Sequence, residues 1–215
     1  MRAIFSSKWF WNSFFSIWAM GLWFAGCAPQ LRTQPEAQEE CGFIQDFYSQ
    51  RISWKGQLPV ILYLDDSVPR EYDEAINNSA KTWNEATGRE SLVIKRQTGY
   101  LDGVPRKDGI NGIYFLSTWD SEKKSEQGRT SLYWVGDQIR EADVRINLES
   151  FRYYVTSSAD NNAVNIQALI LHEMGHVLGL KHNDVGSSVM ATFLPAQQDR
   201  VKLASTDKDS LKCEY

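Results

Sequence analysis

The sequence predicts an α+β domain, because a strand, a helix, four further strands and a second helix follow one another along the chain. Two observations support this prediction. Short apolar runs that end in polar or glycine-rich stretches indicate the strands, and apolar residues at helical spacing indicate the helices. With 215 residues, the chain has room for one such domain and an appendage.

The first half of the predicted domain begins with an apolar strand over residues 58–64, which ends at two aspartates. A helix over residues 69–87 follows it, with Pro69 suited to its first turn and Gly88 to its end. Apolar residues recur along this helix at helical spacing, namely Tyr72, Ile76, Ala80 and Trp83. Short strands are then predicted at residues 92–95, 113–116, 130–135 and 142–147.

The second half of the predicted domain contains a buried helix. After a loop over residues 151–159, this helix is predicted to begin at Asn161 or Asn162 as its cap and to end near Leu178. Apolar residues cover most of its circumference, which is typical of a helix inside a domain. A short helix over residues 206–211, capped by Ser205, is expected to close the chain.

The three histidines of the chain are His172, His176 and His182, at the end of the buried helix and just after it. Residues four apart lie one turn above each other, so the rings of the first two point to one side, with Glu173 beside them. In an unbroken helix, His182 would lie about 9 Å further along the axis than His176. The helix is therefore predicted to break at Gly179, because glycine adopts the left-handed conformation that ends helices.

Three neutral imidazoles predict a catalytic zinc site, because they leave one position of a tetrahedral zinc ion open for water. Zinc bound there would lower the pKa of the water and polarise a peptide carbonyl. Glu173 would accept the proton of the water and pass it to the leaving amine. The predicted reaction is hydrolysis of internal peptide bonds.

The run from His172 to His182 resembles the metzincin signature His-Glu-x-x-His-x-x-Gly-x-x-His, and Ser188-Val189-Met190 follows at the interval seen in matrixins. The resemblance covers residues 58–215. It implies a metzincin, zincin-like fold: a twisted, mixed five-stranded sheet, two long helices including the active-site helix, a methionine turn and a short C-terminal helix. In such a fold, Met190 lies beneath the zinc ligands as a packing base and does not bind the metal.

The resemblance also implies a substrate cleft. In metzincins the fourth strand forms a free edge of the sheet, to which an extended substrate adds as a further strand. Here that edge would consist of Ser131, Leu132, Tyr133, Trp134 and Val135. Residues 191–195 would line the pocket for the substrate residue that follows the cut bond. Thr192 stands where astacins and serralysins have a zinc-binding tyrosine, which favours matrixin-like geometry.

One zinc ion is predicted, because the chain has no further histidines for the second, structural zinc of animal matrixins. The loop over residues 99–112 is rich in glycine and aspartate and resembles a loop that holds calcium. It lacks the regular spacing of calcium loops, so a solvent-exposed turn is the alternative.

Residues 1–26 resemble a bacterial signal peptide, with a positive start, an apolar run over residues 14–24 and small residues before Cys27. By resemblance to a lipobox, diacylglycerol on Cys27 would anchor the protein in the bacterial cell envelope, at the outer membrane or the cell surface. An uncleaved membrane helix and a soluble secreted enzyme are the alternatives. Polar residues after Cys27 predict a flexible tether over residues 27–52, followed by the catalytic domain over residues 53–215.

With Cys27 assigned to the lipid, Cys41 and Cys213 remain. A disulfide between them is expected in an exported protein. The alternative is that Cys41-Gly42 caps the zinc as a latency switch, as a prodomain cysteine does in matrixins, although the Pro-Arg-Cys-Gly motif is absent here.

The charge balance of 23 basic and 27 acidic residues, without a block of like charge, argues against a nucleic-acid partner. The sequence therefore predicts a monomeric zinc metalloendopeptidase that cleaves extracytoplasmic proteins or peptides. A catalytically inactive, zinc-containing peptide-binding protein on the metzincin scaffold is the alternative. A structural zinc site is a third reading, and it would need a fourth protein ligand. Glu173 favours the enzyme, because binding alone requires no base.

Overall fold

The computed structural model describes residues 35–215, so the predicted signal peptide and Cys27 lie outside the described part of the chain. Its main sheet has five strands in the order β2-β1-β3-β5-β4. The strands are β1 Val60–Leu64, β2 Leu92–Arg96, β3 Gly112–Leu116, β4 Gly128–Val135 and β5 Gln138–Asn147. β4 runs antiparallel to β5, whereas the other pairs are parallel. The predicted α+β class with a mixed five-stranded sheet is confirmed.

Two helices pack together against this sheet. A short 3₁₀ turn, Arg70–Tyr72, leads into α1 Asp73–Thr87, which ends at Gly88 in the left-handed conformation. The second helix is α2 Ile166–Val177. The indole of Trp83 on α1 is fully buried and donates a hydrogen bond to the carbonyl of Leu171 on α2 at 2.8 Å. The core between the layers includes the aliphatic side chains of Leu62, Ile76, Ile113, Val144, Ile146 and Ile170.

The start of α2 differs from the prediction. Two short strands, β6 Tyr153–Tyr154 and β7 Val164–Asn165, pair in parallel and keep the chain extended up to Asn165. The side chain of Asn165 then caps the helix by accepting a hydrogen bond from the amide of Ala168 at 2.9 Å. The prediction that Asn161 or Asn162 caps this helix is therefore wrong.

The C-terminal helix α3 spans Ser205–Lys212, and its cap also differs from the prediction. Ala204, and not Ser205, is the cap residue. The carboxylate of Asp207 accepts the amide hydrogen of Ala204 at 2.8 Å and so satisfies the backbone that precedes the helix.

The tether predicted over residues 27–52 is wrong for its last part, and so is the domain boundary at residue 53. Phe43 and Ile52 are fully buried in the core, because both residues pack against Gly179 in the turn after α2. Cys41 and Cys213 form a disulfide, with their Cα atoms 6.3 Å apart. Between residues 35 and 215, none of the helices has the length and apolar character needed to cross a membrane.

Candidate metal centre

Helix α2 brings two histidine rings together. Its sequence places His172 and His176 one turn apart on the same face, and their Nε2 atoms lie 3.1 Å from each other. The apolar residues on the rest of the helix hold it inside the core, so His172 is buried and His176 is partly buried. Burial lowers the pKa of both histidines to about 4, so both are uncharged at neutral pH.

The third histidine reaches the same place because the chain reverses after α2. The helix ends at Val177, and Gly179 adopts a φ of 97°, as the sequence predicts. A side chain at position 179 would also collide with the carbonyl oxygen of Ile52. After this turn, the ring centroid of His182 lies 4.8 Å from that of His176.

The three rings offer a set of nitrogen atoms that fits a zinc ion. One ligand nitrogen from each histidine lies within 4.8 Å of the other two. The Nδ1 atoms of His172 and His176 lie 2.8 and 2.7 Å from the carbonyl oxygens of Val189 and Leu180. These carbonyls accept the Nδ1 hydrogens, so each Nε2 keeps a lone pair for a metal. Three imidazole rings that converge in this way are the donor set of an open zinc site.

Glu173 lies beside the three histidines with only 3% of its surface exposed. Its Oε2 atom accepts a hydrogen bond from the hydroxyl of Thr130 at 2.6 Å. Its Oε1 atom lies against Gly128, where an added Cβ would come within 2.7 Å of it. Burial raises the pKa of Glu173, which favours uptake of a proton. No local sequence pattern marks Thr130 or Gly128 as a neighbour of Glu173, because both contacts cross from β4 to α2.

Met190 lies under the histidine-bearing helix, as the methionine-turn prediction requires. It is buried against Gly175, where a side chain would collide with its sulfur. The carbonyl of Met190 accepts a hydrogen bond from the amide of Asn183 at 2.8 Å, which ties the turn to the residue after His182.

The methionine turn is held from below by Asp207. Its buried carboxylate accepts hydrogen bonds from the hydroxyl of Ser188 at 2.5 Å and from the amide of Val189 at 3.0 Å. In the sequence, Asp207 is an acidic residue in the first turn of α3. A buried aspartate there cannot be distinguished from an exposed one by its position in the helix.

The matrixin family model matches residues 65–215, more than half of the chain. The chain belongs to the matrixin family. Metalloendoproteinase 1 of Glycine max is 23% identical over 181 residues, which cover 81% of this chain and 57% of that protein. The chain thus spans less than two thirds of the length of this relative. Matrixins are zinc-dependent metalloproteases, which agrees with the three converging histidines.

The matrixin domain has an open cleft of about 660 Å³ beside the histidines. One wall is β4, which lies at the edge of the sheet as predicted. The opposite wall is formed by residues 191–194 after the methionine turn. Of the five residues predicted on the substrate strand, Leu132 and Trp134 line the cleft.

The side chains of Ser131, Tyr133 and Val135 do not line the cleft, because successive side chains of a strand point to opposite faces. The hydroxyl of Ser131 accepts a hydrogen bond from Arg145 at 2.5 Å, and Val135 is 66% exposed.

Acidic side chains in and beside the glycine-rich loop accept hydrogen bonds from the amides of the loop. The carboxylate of Asp108 accepts a hydrogen bond from the amide of Ile110 at 2.9 Å, and Glu141 on β5 accepts one from the amide of Gly109 at 2.5 Å. Calcium binding by this matrixin loop stays a prediction.

Proposed function

We propose that this matrixin is a zinc-dependent endopeptidase that hydrolyses internal peptide bonds of proteins outside the cytoplasm. The observation that carries the proposal is the meeting of three histidine rings with a buried glutamate at the wall of an open cleft. His172, His176 and His182 would hold the ion through ring nitrogens. Zinc bound there supplies a Lewis acid and lowers the pKa of a water molecule.

The protein's own groups would handle the substrate and the proton. The free edge of β4 can pair with an extended peptide backbone, and Leu132 and Trp134 can contact its side chains. Glu173 accepts a proton at Oε1, because Oε2 is already engaged by Thr130. The same carboxyl group then delivers the proton to the leaving amine.

The site of action is part of the proposal. A signal peptide over residues 1–26 and lipid on Cys27 would place a monomeric enzyme in the bacterial cell envelope, and this rests on the sequence pattern. The mass of detergent-extracted protein tests the anchor. We expect acyl chains on Cys27. A lipid-free or uncleaved N-terminus would contradict the anchor and leave the proposed peptidase activity unaffected.

Glu173→Ala tests the proposed activity. We expect the purified wild-type protein to hold one zinc ion and to cleave casein. The variant should retain the zinc and lose cleavage by a factor of about 10² to 10⁴, because the proton acceptor is gone. Glu71→Ala removes an exposed glutamate before α1 and serves as the control.

Two outcomes would contradict the proposed function. Equal cleavage by wild type and Glu173→Ala would show that Glu173 is not the proton acceptor. A wild-type protein that holds zinc and binds casein without cutting it would favour the catalytically inactive peptide-binding protein.

A further inference from the structure

Residues 41–44, which we call the brace segment, run alongside the turn that leads to the third histidine. The amide of Lys181 donates a hydrogen bond to the carbonyl of Gly42 at 2.9 Å, and the amide of Ile44 donates one to the carbonyl of Gly179 at 3.0 Å. Phe43 and Leu180 thereby form an antiparallel bridge. The turn over residues 179–181 is thus paired along one edge with a segment from the other end of the chain.

This pairing reaches two metal-binding histidines through the backbone. The carbonyl of Leu180, in the middle of the paired turn, lies 2.7 Å from Nδ1 of His176. His182 directly follows Lys181, whose amide is fixed by the brace segment. A shift of the turn would therefore rotate one ring and displace the other.

The brace segment is anchored on both sides of its backbone. Cys41 is joined by the disulfide to Cys213, the residue that follows α3. Phe43 is fully buried in the core, and a side chain at position 179 would press against it at 3.3 Å. The exposed ion pair between Glu40 and Lys181 adds little, because water screens such pairs.

Two side chains from distant parts of the sequence also bind backbone carbonyls at the end of α2. The indole of Trp54 donates a hydrogen bond to the carbonyl of Val177 at 2.8 Å, and the hydroxyl of Tyr215 donates one to the carbonyl of Leu178 at 2.6 Å. The carbonyls of Val177 and Leu178 are therefore satisfied by side chains from outside the helix.

We propose that the brace segment, fastened by the Cys41–Cys213 disulfide, positions His176 and His182 and slows the loss of the bound metal. This inference rests on the proposed function in that the three histidines hold zinc. The residues of the brace segment act through the histidines and do not touch the metal, so they are positioning residues.

The double variant Cys41→Ser/Cys213→Ser tests the proposal, because it removes the disulfide without leaving either of its two thiols free to bind zinc. The zinc-loaded protein is mixed with an excess of a chromophoric chelator, and the release rate is measured. We expect release at least about tenfold faster than in the wild type, since groups that orient metal ligands change affinity by about 10- to 100-fold. An unchanged release rate would overturn the proposal.

Asn84→Ala is the matched control for a general loss of stability. The side chain of Asn84 accepts hydrogen bonds from the amides of Ser91 and Leu92 at 2.8 Å, in the connection between α1 and β2. We expect this variant to unfold more easily and to release zinc at the wild-type rate. Equal acceleration in both variants, at equal loss of stability, would overturn the brace.

Amide hydrogen exchange provides a readout that needs no zinc. In the metal-free wild type, the amides of Ile44 and Lys181 should exchange slowly, because both are hydrogen-bonded in the pairing. Reduction of the disulfide with a phosphine should accelerate both and leave the amide of Leu92 unchanged. Rapid exchange of Ile44 and Lys181 in the untreated protein would contradict the brace, whereas a wild type unable to bind zinc would contradict the proposed function instead.

Discussion

Two buried carboxylates stand next to the metal centre, and their hydrogen bonds differ in number. Asp207, below the methionine turn, accepts hydrogen bonds from one hydroxyl and two backbone amides. Glu173, at the cleft, accepts one side-chain hydrogen bond, from Thr130. A carboxylate with all its partners in place stabilises the fold, whereas one with an unused oxygen at a cleft is available for proton transfer. The carboxylate of Asp207 thus stabilises the fold, whereas that of Glu173 is available for proton transfer.

The largest effect on stability is expected from Asp207→Ala. It leaves two buried donors and the partly buried amide of Ala204 without their acceptor, and each buried donor left without a partner costs about 1 to 3 kcal/mol. We expect the free energy of unfolding in urea to fall by about 3 to 5 kcal/mol. Asp209→Ala on the same helix is the control, because the Asp209 side chain is 66% exposed and should change stability by less than about 0.5 kcal/mol. Similar losses in both variants would break the contrast between the two carboxylates.

Asp143 on β5 extends the comparison to a third buried carboxylate. Oδ1 accepts the amide hydrogen of Gly112 at 3.0 Å, and burial raises the pKa of Asp143 from its ordinary value of 3.8 to about 7. Between these two values the folded protein binds more protons than the unfolded chain, so stability falls as the pH rises from about 4 to about 7.

Asp143→Asn should remove this fall, because the amide keeps an acceptor for Gly112 and carries no charge. At pH 8 we expect the metal-free variant to exceed the wild type in free energy of unfolding by an amount on the order of 2 kcal/mol. Urea titrations from pH 4 to pH 8 measure it. Parallel pH curves for the two proteins would show that Asp143 titrates normally.

Thr130→Val sharpens the contrast on the side of Glu173. The hydroxyl holds Oε2 of the glutamate, and a hydrogen bond to a charged group contributes about 1.5 to 3 kcal/mol. We expect kcat for a peptide substrate to fall at least about tenfold while KM changes little, because the positioning of the proton acceptor is lost and the cleft is kept. Thr130→Ser retains the hydroxyl and should restore kcat. A serine variant as slow as the valine variant would mean that the methyl group matters instead.

The smallest effect is expected from Glu173→Gln on stability. Burying a neutral amide costs less than burying a carboxylate with a single side-chain donor. We expect the metal-free variant to be about 1 kcal/mol more stable than the wild type in urea at pH 8, in contrast to the loss for Asp207→Ala. A loss of stability would show that Glu173 also serves the fold.

Local patterns in the sequence predicted much of the site. The spacing of His172 and His176 gave the shared helix face, and Gly179 gave the turn that returns His182 to them. The count of cysteines gave the disulfide. The first two inferences use the geometry of a few consecutive residues. The third uses the fact that two cysteines remain once Cys27 is assigned to the lipid.

Contacts between distant segments could not be predicted in this way. Thr130 meets Glu173 across 43 positions of the chain, and no local pattern marks either as a partner of the other. The start of α2 was misplaced because β6 and β7 pair before it and hold the chain extended. Residues 41–52 follow a polar stretch, and the burial of Phe43 and Ile52 depends on contacts with the turn after α2.

X-ray absorption at the zinc edge of the purified protein tests the central claim most directly. An open catalytic centre predicts three nitrogen ligands at about 2.0 to 2.1 Å and one oxygen from exchangeable water. The water should be displaced by a hydroxamate inhibitor, with the three nitrogens unchanged. A sulfur ligand at about 2.3 Å, or a fourth protein ligand that no inhibitor displaces, would contradict the account.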